Sequence, residues 1–534
     1  MFKIHSYKTL ISVALVAILN GCADITDDTV PDKTQTDTLA PSVPLDLIAL
    51  DVSATSVQIQ WTVSTDNIAV TDYYVYRDSI QIGSLTNTTF IDDTLEANTL
   101  YEYSVAAADA ALNVSNKSAS LIITTPSRSD NASLPAVLVP AGYDCNDTTV
   151  HCVDDRSSVN QEFFTIQEAV NIASPGDTVV VHEGTYAGFS VSASGVSDDN
   201  RITITANGNN VLINSGGSTQ GRVLVSNSNY ITIEGFTIES AAGYCLAARD
   251  ASANSPMLGV TFQFNTVRNC GSSNIYMSNA SYSMILGNTS YGSQAGHGIY
   301  LSNAGSDHTL IKGNRSYSNA SNGLYFNADM YSGADGLQSY ITIEGNTVYD
   351  NGQSGVEADG LYDSVFVNNL LYGNARHAVR GFQIDSSGGV ARLSFVNNTI
   401  ANNGSWGVKL SQDLGGHVFF NNIIMSNASG CIASGHSALE VDKNIYDSSC
   451  RFSQDGESST LSYTNWQASY SDSSITDSLS SVVVSAANND YTLSGGSAAI
   501  DAGLSSFASI SSPVKDIADN LRPVNAVDIG AFEK

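Results

Sequence analysis

Ile285-Leu286-Gly287-Asn288, Ile311-Lys312-Gly313-Asn314 and Ile343-Glu344-Gly345-Asn346 are three copies of one phrase, in which an apolar residue leads through a turn to asparagine. The phrase occurs seven times, with its asparagines at Asn265, Asn288, Asn314, Asn346, Asn369, Asn398 and Asn422. The gaps are 23, 26, 32, 23, 29 and 24 residues, filled by short β-branched and aromatic runs between Gly, Ser and Asn turns. A repeat of this size predicts a solenoid. Because each unit is too small to bury its own apolar face and contains no helical pattern, the units are expected to stack as a β-helix.

The repeated asparagine is predicted to stand at a corner of each coil. Asparagine tolerates a bent backbone, and its side-chain amide can bond the asparagine of the next coil. We therefore predict that these seven residues are structural and not catalytic.

The first residues have the order of an export signal. Lys3 and Lys8 precede an apolar core from Leu10 to Leu19, which is too short to span a membrane. The end of this segment, Leu19-Asn20-Gly21-Cys22, resembles the lipobox of bacterial lipoproteins. The resemblance implies a signal peptide over residues 1–21, lipidation of Cys22, an acidic tether over residues 22–40 and sorting to the outer membrane. An ordinary secretory signal with a chance cysteine is the alternative.

The formal net charge of −30 excludes nucleic acid as a natural partner. An anionic ligand would need local basic groups or bound cations to offset this field. Export permits disulfides, and the pairs expected from the order of the chain are Cys145–Cys152, Cys245–Cys270 and Cys431–Cys450. Sequence alone leaves this connectivity open.

Residues 41–126 have the features of a small β-sandwich. Trp61 lies in an alternating strand, the run Tyr73-Tyr74-Val75-Tyr76 follows, and Tyr101 occupies the position of a tyrosine corner. The segment resembles the fibronectin type III modules that bacteria attach to carbohydrate-active enzymes. The simplest role for it is that of a spacer.

Two further segments resemble known parts of β-helix proteins. The helical spacing of residues 164–173, the turn Pro175-Gly176-Asp177-Thr178 and the strand ending in Gly184-Thr185-Tyr186 resemble the cap and first coil of pectin-lyase-like right-handed β-helix proteins. Residues 499–503 and 528–533 resemble the closing segment of exported β-helix proteins and imply a C-terminal cap. The predicted fold over residues 135–534 is therefore a right-handed parallel β-helix, which makes the chain all-β. The chain is expected to be a monomer.

One strand of each coil concentrates polar chemistry. Because side chains alternate across a strand, an inward apolar residue in each coil is followed by an outward one. The outward residues, here called the site column, are Tyr276, Tyr300, Tyr325, Glu357, Arg380 and Lys409. A second column two positions on contains Ser278, Ser302, Asn327, Asp359 and Ser411. The residues leading into these strands include His297, Asn322, His377 and Trp406.

Six coils at about 4.8 Å spacing span roughly 24 Å, which suits a chain of several sugars. Tyr276, Tyr300 and Tyr325 are predicted to hold sugar rings by their faces, together with Asn327 and Trp406. An exposed sheet face that is merely stabilised by contacts between coils is the structural alternative.

Two coils are longer than the others and carry inserted loops after this strand, at residues 329–336 and 384–389. Both loops are expected on the same side of the site column, where they would form one wall of a groove along it. Asp329, Asp335 and Asp359, with Asp385 nearby, are predicted to bind Ca²⁺ through hard carboxylate oxygens. Ordinary Asp-Gly turn chemistry explains the same residues equally well.

The resemblance to pectin-lyase-like proteins implies a polysaccharide lyase, hydrolase or epimerase, or an adhesin, and it transfers no catalytic residue. β-Elimination of a uronate fits Arg380 or Lys409 as base, His297 or His377 as base or donor, and Tyr300 or Tyr325 as donor. Hydrolysis needs two carboxyl groups, and Glu357 with Asp359 could supply them. We predict a surface-anchored lyase acting on an anionic polysaccharide, with a hydrolase and a non-catalytic glycan-binding adhesin as the alternatives.

Overall fold

The computed structural model describes residues 37–124 and 143–534, apart from positions 53–56, 93–94, 96–99, 156–161, 219, 250–255, 304, 333–334, 457–458 and 524–525. The predicted signal peptide, Cys22 and most of the tether lie outside the described residues. None of the helices within these ranges is long and apolar enough to cross a membrane. The chain divides into two compact units at residue 127.

The N-terminal unit is a sandwich of two antiparallel sheets. One sheet contains the strands Leu45–Val52, Val57–Thr62 and Thr89–Asp92. The other contains Ile80–Leu85, Val70–Arg77, Leu100–Asp109 and Leu121–Thr124. Trp61, Tyr73 and Tyr103 pack in the core between them. The Tyr103 hydroxyl donates to Asp92 (2.6 Å), which also pairs with Arg77 (2.7 Å). The predicted sandwich is confirmed, while the fibronectin type III assignment and the corner role of Tyr101 stay predictions.

The second unit is a parallel β-helix whose coils each contribute to three sheets. Sheet 1 precedes the corner asparagine and contains Val150–Val153, Ile231–Glu234, Thr261–Gln263, Met284–Leu286, Leu310–Lys312, Thr342–Glu344, Val365–Val367, Ser394–Val396, His417–Phe420 and Leu439–Asp442. Sheet 2 follows the corner and contains Thr237–Glu239, Thr266–Arg268, Thr289–Tyr291, Arg315–Tyr317, Thr347–Tyr349, Leu370–Tyr372, Thr399–Ala401, Ile423–Met425, Ile445–Asp447 and Ile475–Asp477. Two longer strands, Thr178–Gly188 and Ile202–Gly216, belong to both sheets.

Sheet 3 carries the site column. Its strands are Ser190–Val191, Val223–Ser226, Leu246–Arg249, Ile275–Ser278, Ile299–Ser302, Leu324–Asn327, Val356–Asp359, Val379–Phe382, Trp406–Leu410, Gly430–Ser434, Arg451–Ser453 and Leu461–Ser462. All pairs are parallel except the last, which is antiparallel. Parallel strands joined by crossovers wind in the right-handed sense, and the predicted right-handed parallel β-helix is confirmed.

Short pairs and helices complete the described elements. The two-stranded pairs are Met257–Leu258 with Ala280–Ser281, Gln338–Ser339 with Leu361–Tyr362, Val483–Ser485 with Asp490–Leu493, and Ser506–Phe507 with Ile510–Ser511. The α-helices are Ile166–Ile172, Tyr463–Tyr470 and Leu479–Val482, and the 3-10 turns are Asp198–Asn200, Met330–Ser332 and Ala486–Asn488.

The seven corner asparagines form the predicted ladder along the solenoid. Each is buried, and the amide nitrogen of Asn314, for example, donates to Oδ1 of Asn346 (3.0 Å) and to the carbonyl of Ile285 (2.7 Å). The ladder continues through Asn422 to Asn444 (2.9 Å), a further member that the phrase did not reveal. The bent residue is the one before each asparagine, such as Gly313 with φ of +65° or Asn368 with φ of +54°. The left-handed turn thus belongs to the preceding position, which leaves the asparagine side chain free to point inward.

A second asparagine ladder, not predicted from sequence, runs through the next corner. It contains Asn319, Asn351, Asn374, Asn403 and Asn427. The amide of Asn351 donates to Oδ1 of Asn374 (2.9 Å), and the same geometry recurs along the ladder. Each member stands five positions after a corner asparagine, so this offset was the signal available in the sequence.

The two ends of the solenoid are closed differently. Helix Ile166–Ile172 covers the first coil as predicted, and Thr165 caps it by accepting from the Glu168 amide. At the other end Trp466, on helix Tyr463–Tyr470, stacks on Phe452 of the core at 4.6 Å. The predicted terminal cap at residues 499–503 and 528–533 is corrected, because that segment lies along the side of the last coils. The Asp528 carbonyl accepts from the Asn397 side chain, and the Gly530 N–H donates to the carbonyl of Asn421; both asparagines are bent residues of the corners.

The three predicted disulfides are confirmed. Cys145–Cys152, Cys245–Cys270 and Cys431–Cys450 have Cα separations of 5.7, 5.8 and 5.8 Å. The last two join neighbouring coils of the solenoid.

Candidate functional site

The site column is present in the register that the sequence predicted. Across sheet 3, Tyr276 pairs with Tyr300, Tyr300 with Tyr325, and Tyr325 with Glu357. Glu357 then pairs with Arg380, and Arg380 with Lys409. The residues before them are inward and at most 1% exposed: Ile275, Ile299, Leu324, Val356, Val379 and Val408. Strand alternation therefore places an aromatic half and a charged half in one line.

The aromatic half does not offer the predicted open ring faces. Tyr276 is 5% exposed and stacks on Tyr244 at 4.2 Å. Tyr325 stacks on His297 at 4.3 Å, and Tyr300 lies 5.2 Å from Tyr276 and 5.0 Å from Tyr325. The prediction that a sugar ring stacks on a tyrosine face is wrong for Tyr276, which is buried. His297 covers one face of Tyr325, and stacking on Tyr300 and Tyr325 stays a prediction.

The hydroxyls of Tyr300 and Tyr325 stay protonated at neutral pH. Burial is the largest cause that raises the pKa of Tyr325, followed by the charges of Tyr300, Asp359, Glu357 and Asp385. Burial also raises the pKa of Tyr300. The Tyr300 hydroxyl lies 3.2 Å from the Ser302 hydroxyl and accepts from the Asn327 amide at 3.4 Å. Both phenols therefore keep their protons and can donate hydrogen bonds, although the raised pKa makes each a weaker acid than an ordinary tyrosine.

The two histidines that lead into the strands are held in one tautomer. Nδ1 of His297 accepts from the backbone N–H and the side-chain amide of Asn322, at 3.4 and 3.3 Å. Nδ1 of His377 likewise accepts from the N–H of Trp406 at 3.4 Å. A neutral imidazole with Nδ1 as acceptor carries its proton on Nε2. Burial lowers the pKa of His297 to about 4, so this ring is neutral at pH 7 and can only donate from Nε2.

The charged half is an ion pair followed by a lysine. Oε1 of Glu357 accepts from the Ser354 hydroxyl (3.0 Å) and lies 3.5 Å from Nη1 of Arg380. Glu357 is 6% exposed, whereas the Arg380 side chain is 30% exposed. The guanidinium lies 4.5 Å from the Phe382 ring centre. Part of the Arg380 guanidinium is therefore exposed to solvent. The neighbouring Lys409 is also partly exposed.

The second column is more buried than predicted. Ser278, Ser302 and Asp359 are 2%, 5% and 0% exposed. The Asp359 carboxylate accepts from the N–H groups of Ile384 (3.0 Å) and Asp385 (2.7 Å) and from the Ser386 hydroxyl. Asp359 therefore holds the second inserted loop in place. A carboxylate so enclosed cannot serve with Glu357 as the accessible pair that hydrolysis needs.

The predicted calcium ligands are not gathered at one point. Asp329 and Asp335 each close a turn, accepting from the N–H groups of Tyr331 (2.8 Å) and Leu337 (2.9 Å), while Asp359 faces the other loop. Within the described ranges, groups of three acidic or metal-binding side chains with ligand atoms inside 4.8 Å occur twice. They are the bonded Cys145 and Cys152 with His182, and Asp37, Asp66 and Asp109 in the N-terminal unit. In the structure Asp329, Asp335 and Asp359 serve turns and a loop, and a Ca²⁺ site at these residues stays a prediction.

Trp406 is also corrected as a sugar-binding residue. It is 4% exposed, and its ring lies over Gly430, whose missing side chain leaves room for it. A ring buried in this way has no face for a ligand. Sequence reasoning also missed Tyr244 and Ser354, which line the cluster. Ser354 follows His297 and Asn322 at the same place in the next coil, so the repeat alone could have revealed it.

Comparison with known proteins supports the fold. The family described as "Right handed beta helix region" matches residues 221–380 and 296–446. The crystal structure of pectate lyase Pel9A superposes with a TM-score of 0.52 over 72% of this chain and 96% of that one, at 18% identity. At this identity the likeness shows a shared right-handed β-helix and nothing about activity.

Curated relatives match shorter parts of the chain. Exoglucanase B of Cellulomonas fimi is 41% identical over 136 residues, which are 26% of this chain and 12% of that protein. An alpha-amylase of Niallia circulans is 47% identical over 90 residues, 17% of this chain and 7% of the enzyme. The chain thus spans only a small part of these relatives.

Proposed function

We propose that the β-helix is a polysaccharide lyase that cleaves a uronate-containing polysaccharide by β-elimination at the site column. The observation that carries the proposal is the placement of Arg380 and Lys409 on consecutive coils, directly after Tyr325 and Glu357. In a chain of net charge −30, two neighbouring basic side chains on one face form a local feature that could accept an anionic sugar. Partial matches to glycan-degrading enzymes agree with a carbohydrate substrate.

In the reaction, a base removes the proton from C5 of the uronate while the bond from C4 to the glycosidic oxygen breaks. A C4–C5 double bond forms, and the leaving oxygen receives a proton, so water is not consumed. The planar fork of Arg380 suits the substrate carboxylate, whose negative charge grows as the C5 proton leaves. Lys409 serves as the base in its neutral amine form, which takes the C5 proton and becomes an ammonium; a guanidinium cannot give up its own proton to act in this way.

The aromatic half supplies the proton. Tyr325 stands next to the charged half and remains a phenol at neutral pH, so it donates to the leaving oxygen. Neutral His297, stacked on Tyr325 and fixed by Asn322, presents Nε2–H as a donor to the same sugar. His377 remains the alternative base on this face.

The test is incubation with pectate, alginate and glucuronate-bearing glycans while following ultraviolet absorbance of the unsaturated product. Arg380→Gln and Lys409→Gln are each expected to lower kcat/KM by about 100-fold or more, because each removes charge stabilisation or the base. Lys312→Gln is the matched control, since Lys312 pairs with Glu344 (2.9 Å) on sheet 1. Equal activity of all three variants would refute the assignment. Reducing ends released without unsaturation would indicate a hydrolase.

Binding without turnover is the second candidate. Nδ1 of His297, Glu357 and Asp359 are all engaged by neighbouring groups of the fold, as expected for a rigid recognition face. This candidate predicts affinity for the glycan with no change in its chain length. Viscometry and affinity electrophoresis on one sample separate the two candidates.

We also propose that the protein is held at the outer membrane through lipidated Cys22. The sequence around this residue supports it. Cys22→Ser is expected to release the protein from the membrane fraction, whereas Cys22→Ser protein that still sediments with membranes would contradict the anchor.

A further inference from the structure

Two of the three tyrosines in the site column have a ring face covered by a neighbouring ring. In the site column Tyr276 and Tyr325 are covered by Tyr244 and His297. Sugars are commonly fixed by packing their C–H faces on an aromatic ring, and hydroxyls and cations alone do not supply that contact. An exposed ring on the inserted loops beside the site column would supply that contact.

Tyr331 is the most exposed aromatic residue beside the site. It is 85% exposed, on the 3-10 turn Met330–Ser332 of the first inserted loop. Tyr331 takes part in none of the ring-stacking or cation–π contacts found among the described residues. Met330 (45% exposed) and Ile384 (70% exposed) lie in the two inserted loops with it. Exposed apolar side chains concentrated at one place mark binding sites more often than scattered ones do.

The loop that carries Tyr331 is fixed to the other inserted loop. The Met330 N–H donates to the carbonyl of Asp385 (3.0 Å), and the Ser387 N–H donates to the carbonyl of Gly336 (3.0 Å). The Ser387 hydroxyl donates to the carbonyl of Asp335 (2.7 Å). Buried Asp359 holds the second loop from beneath. Tyr331 is therefore presented on a braced support, which lowers the entropy cost of binding.

The same contacts place the loop at the site. It begins just after Asn327, the last residue of a sheet 3 strand. Asp385, bonded to Met330, is close enough to Tyr300 and Tyr325 for its charge to raise the pKa of both phenols. The tip thus stands beside the junction of the aromatic and charged halves.

We infer that Tyr331 is a substrate-stacking residue, against whose ring a pyranose of the acidic polysaccharide packs. The inference rests on the proposed function and adds a residue to it. Because the ring touches a sugar next to the reacting one and no reacting atom, it contributes to binding and to KM and leaves kcat nearly unchanged.

The experiment measures Kd, KM and kcat of the full chain with pectate and alginate oligosaccharides of defined length. Tyr331→Ala is expected to raise Kd and KM about fivefold with little change in kcat, whereas Tyr331→Phe keeps the wild-type values. Tyr340→Ala is the control, because Tyr340 is 55% exposed but its ring is stacked on His308 at 4.8 Å.

Unchanged Kd in Tyr331→Ala, or equal weakening in Tyr331→Phe, would overturn the stacking role while the lyase proposal stands. A wild-type protein that neither binds nor cleaves any of these glycans would overturn the proposed function, and the stacking role with it.

Discussion

The corner ladder and the site column both run along the solenoid at one residue per coil, yet they are built on opposite rules. In the ladder the same asparagine recurs, because an amide both donates and accepts and so matches its own copy in the next coil. In the site column the residue changes from tyrosine to glutamate, arginine and lysine. Repetition marks what every coil needs for folding. Departure from repetition marks what only one place on the molecule needs.

The largest loss of stability is expected when one asparagine of the corner ladder is replaced. Asn346→Ala removes a buried amide that donates to Asn369 and Ile311 and accepts from Asn314. The neighbours lose partners in a dry interior, so we expect the free energy of unfolding to fall by about 3–5 kcal/mol. Urea unfolding of the full chain measures it. Asn209→Ala, at an exposed position, should change stability by less than about 0.5 kcal/mol. An equal loss of unfolding free energy in both variants would mean that the ladder does not stabilise the fold more than an exposed asparagine does.

Asp359→Ala tests whether a buried polar group of the site supports the fold or the loop. Removing the carboxylate frees the N–H groups of Ile384 and Asp385, which can then bond water if the loop opens. We expect a loss of about 2 kcal/mol in global stability at most, with a local rise in hydrogen exchange over residues 384–387. We expect kcat/KM to fall by more than this small loss of global stability would explain. Unaltered exchange in that loop would show that Asp359 does not hold it.

The fold was predictable in detail where the chain repeats. The asparagine period located the coils, and strand alternation gave the correct register of the site column from Tyr276 to Lys409. The second ladder at Asn319 and its successors was equally legible at a fixed offset. The lateral position of residues 499–533 was not, because that segment has no period and its contacts with Asn397 and Asn421 are distant in sequence.

The site was predictable only in part, since alternation tells which side of a strand a residue faces and not what covers it. Tyr244 and His297 cover Tyr276 and Tyr325, and Gly430 lets Trp406 lie flat against the next coil. The loop over Asp359 comes from a different coil. Such coverage depends on turns between strands, where the sequence carries no repeat to interpret.

The free energy of unfolding should depend on pH through His297, a residue of the site that has no counterpart in the asparagine ladder. Its pKa is about 4 in the folded protein against an ordinary value near 6.5, so the unfolded chain binds the proton first as pH falls. The stability that neutral His297 contributes is complete above about pH 6.5 and is lost as pH falls toward 4. We expect about 2 kcal/mol of this loss by pH 5.

His297→Asn is the matched variant, because Asn322 accepts a backbone N–H in the same way one coil later. Carboxyls with raised pKa, such as those of Asp472 and Glu533, shift stability in the opposite direction and are common to both proteins. The difference between wild type and His297→Asn in urea unfolding at pH 7 and pH 5 isolates the histidine. No difference would place the ring in solvent.

The smallest change in stability and in kcat/KM is expected for substitutions of Asp329 and Asp335, two of the predicted calcium ligands. Asp329 and Asp335 accept N–H groups two residues on, a bond that asparagine makes equally well. Asp329→Asn with Asp335→Asn should therefore change stability by less than about 0.5 kcal/mol and kcat/KM by less than about twofold, in chelator and in added Ca²⁺ alike. Kinetics with both buffers checks this. A double variant that loses a calcium-dependent activity seen in the wild type would restore the metal to this wall of the groove, because asparagine keeps the turn and removes only the charge that a hard cation requires.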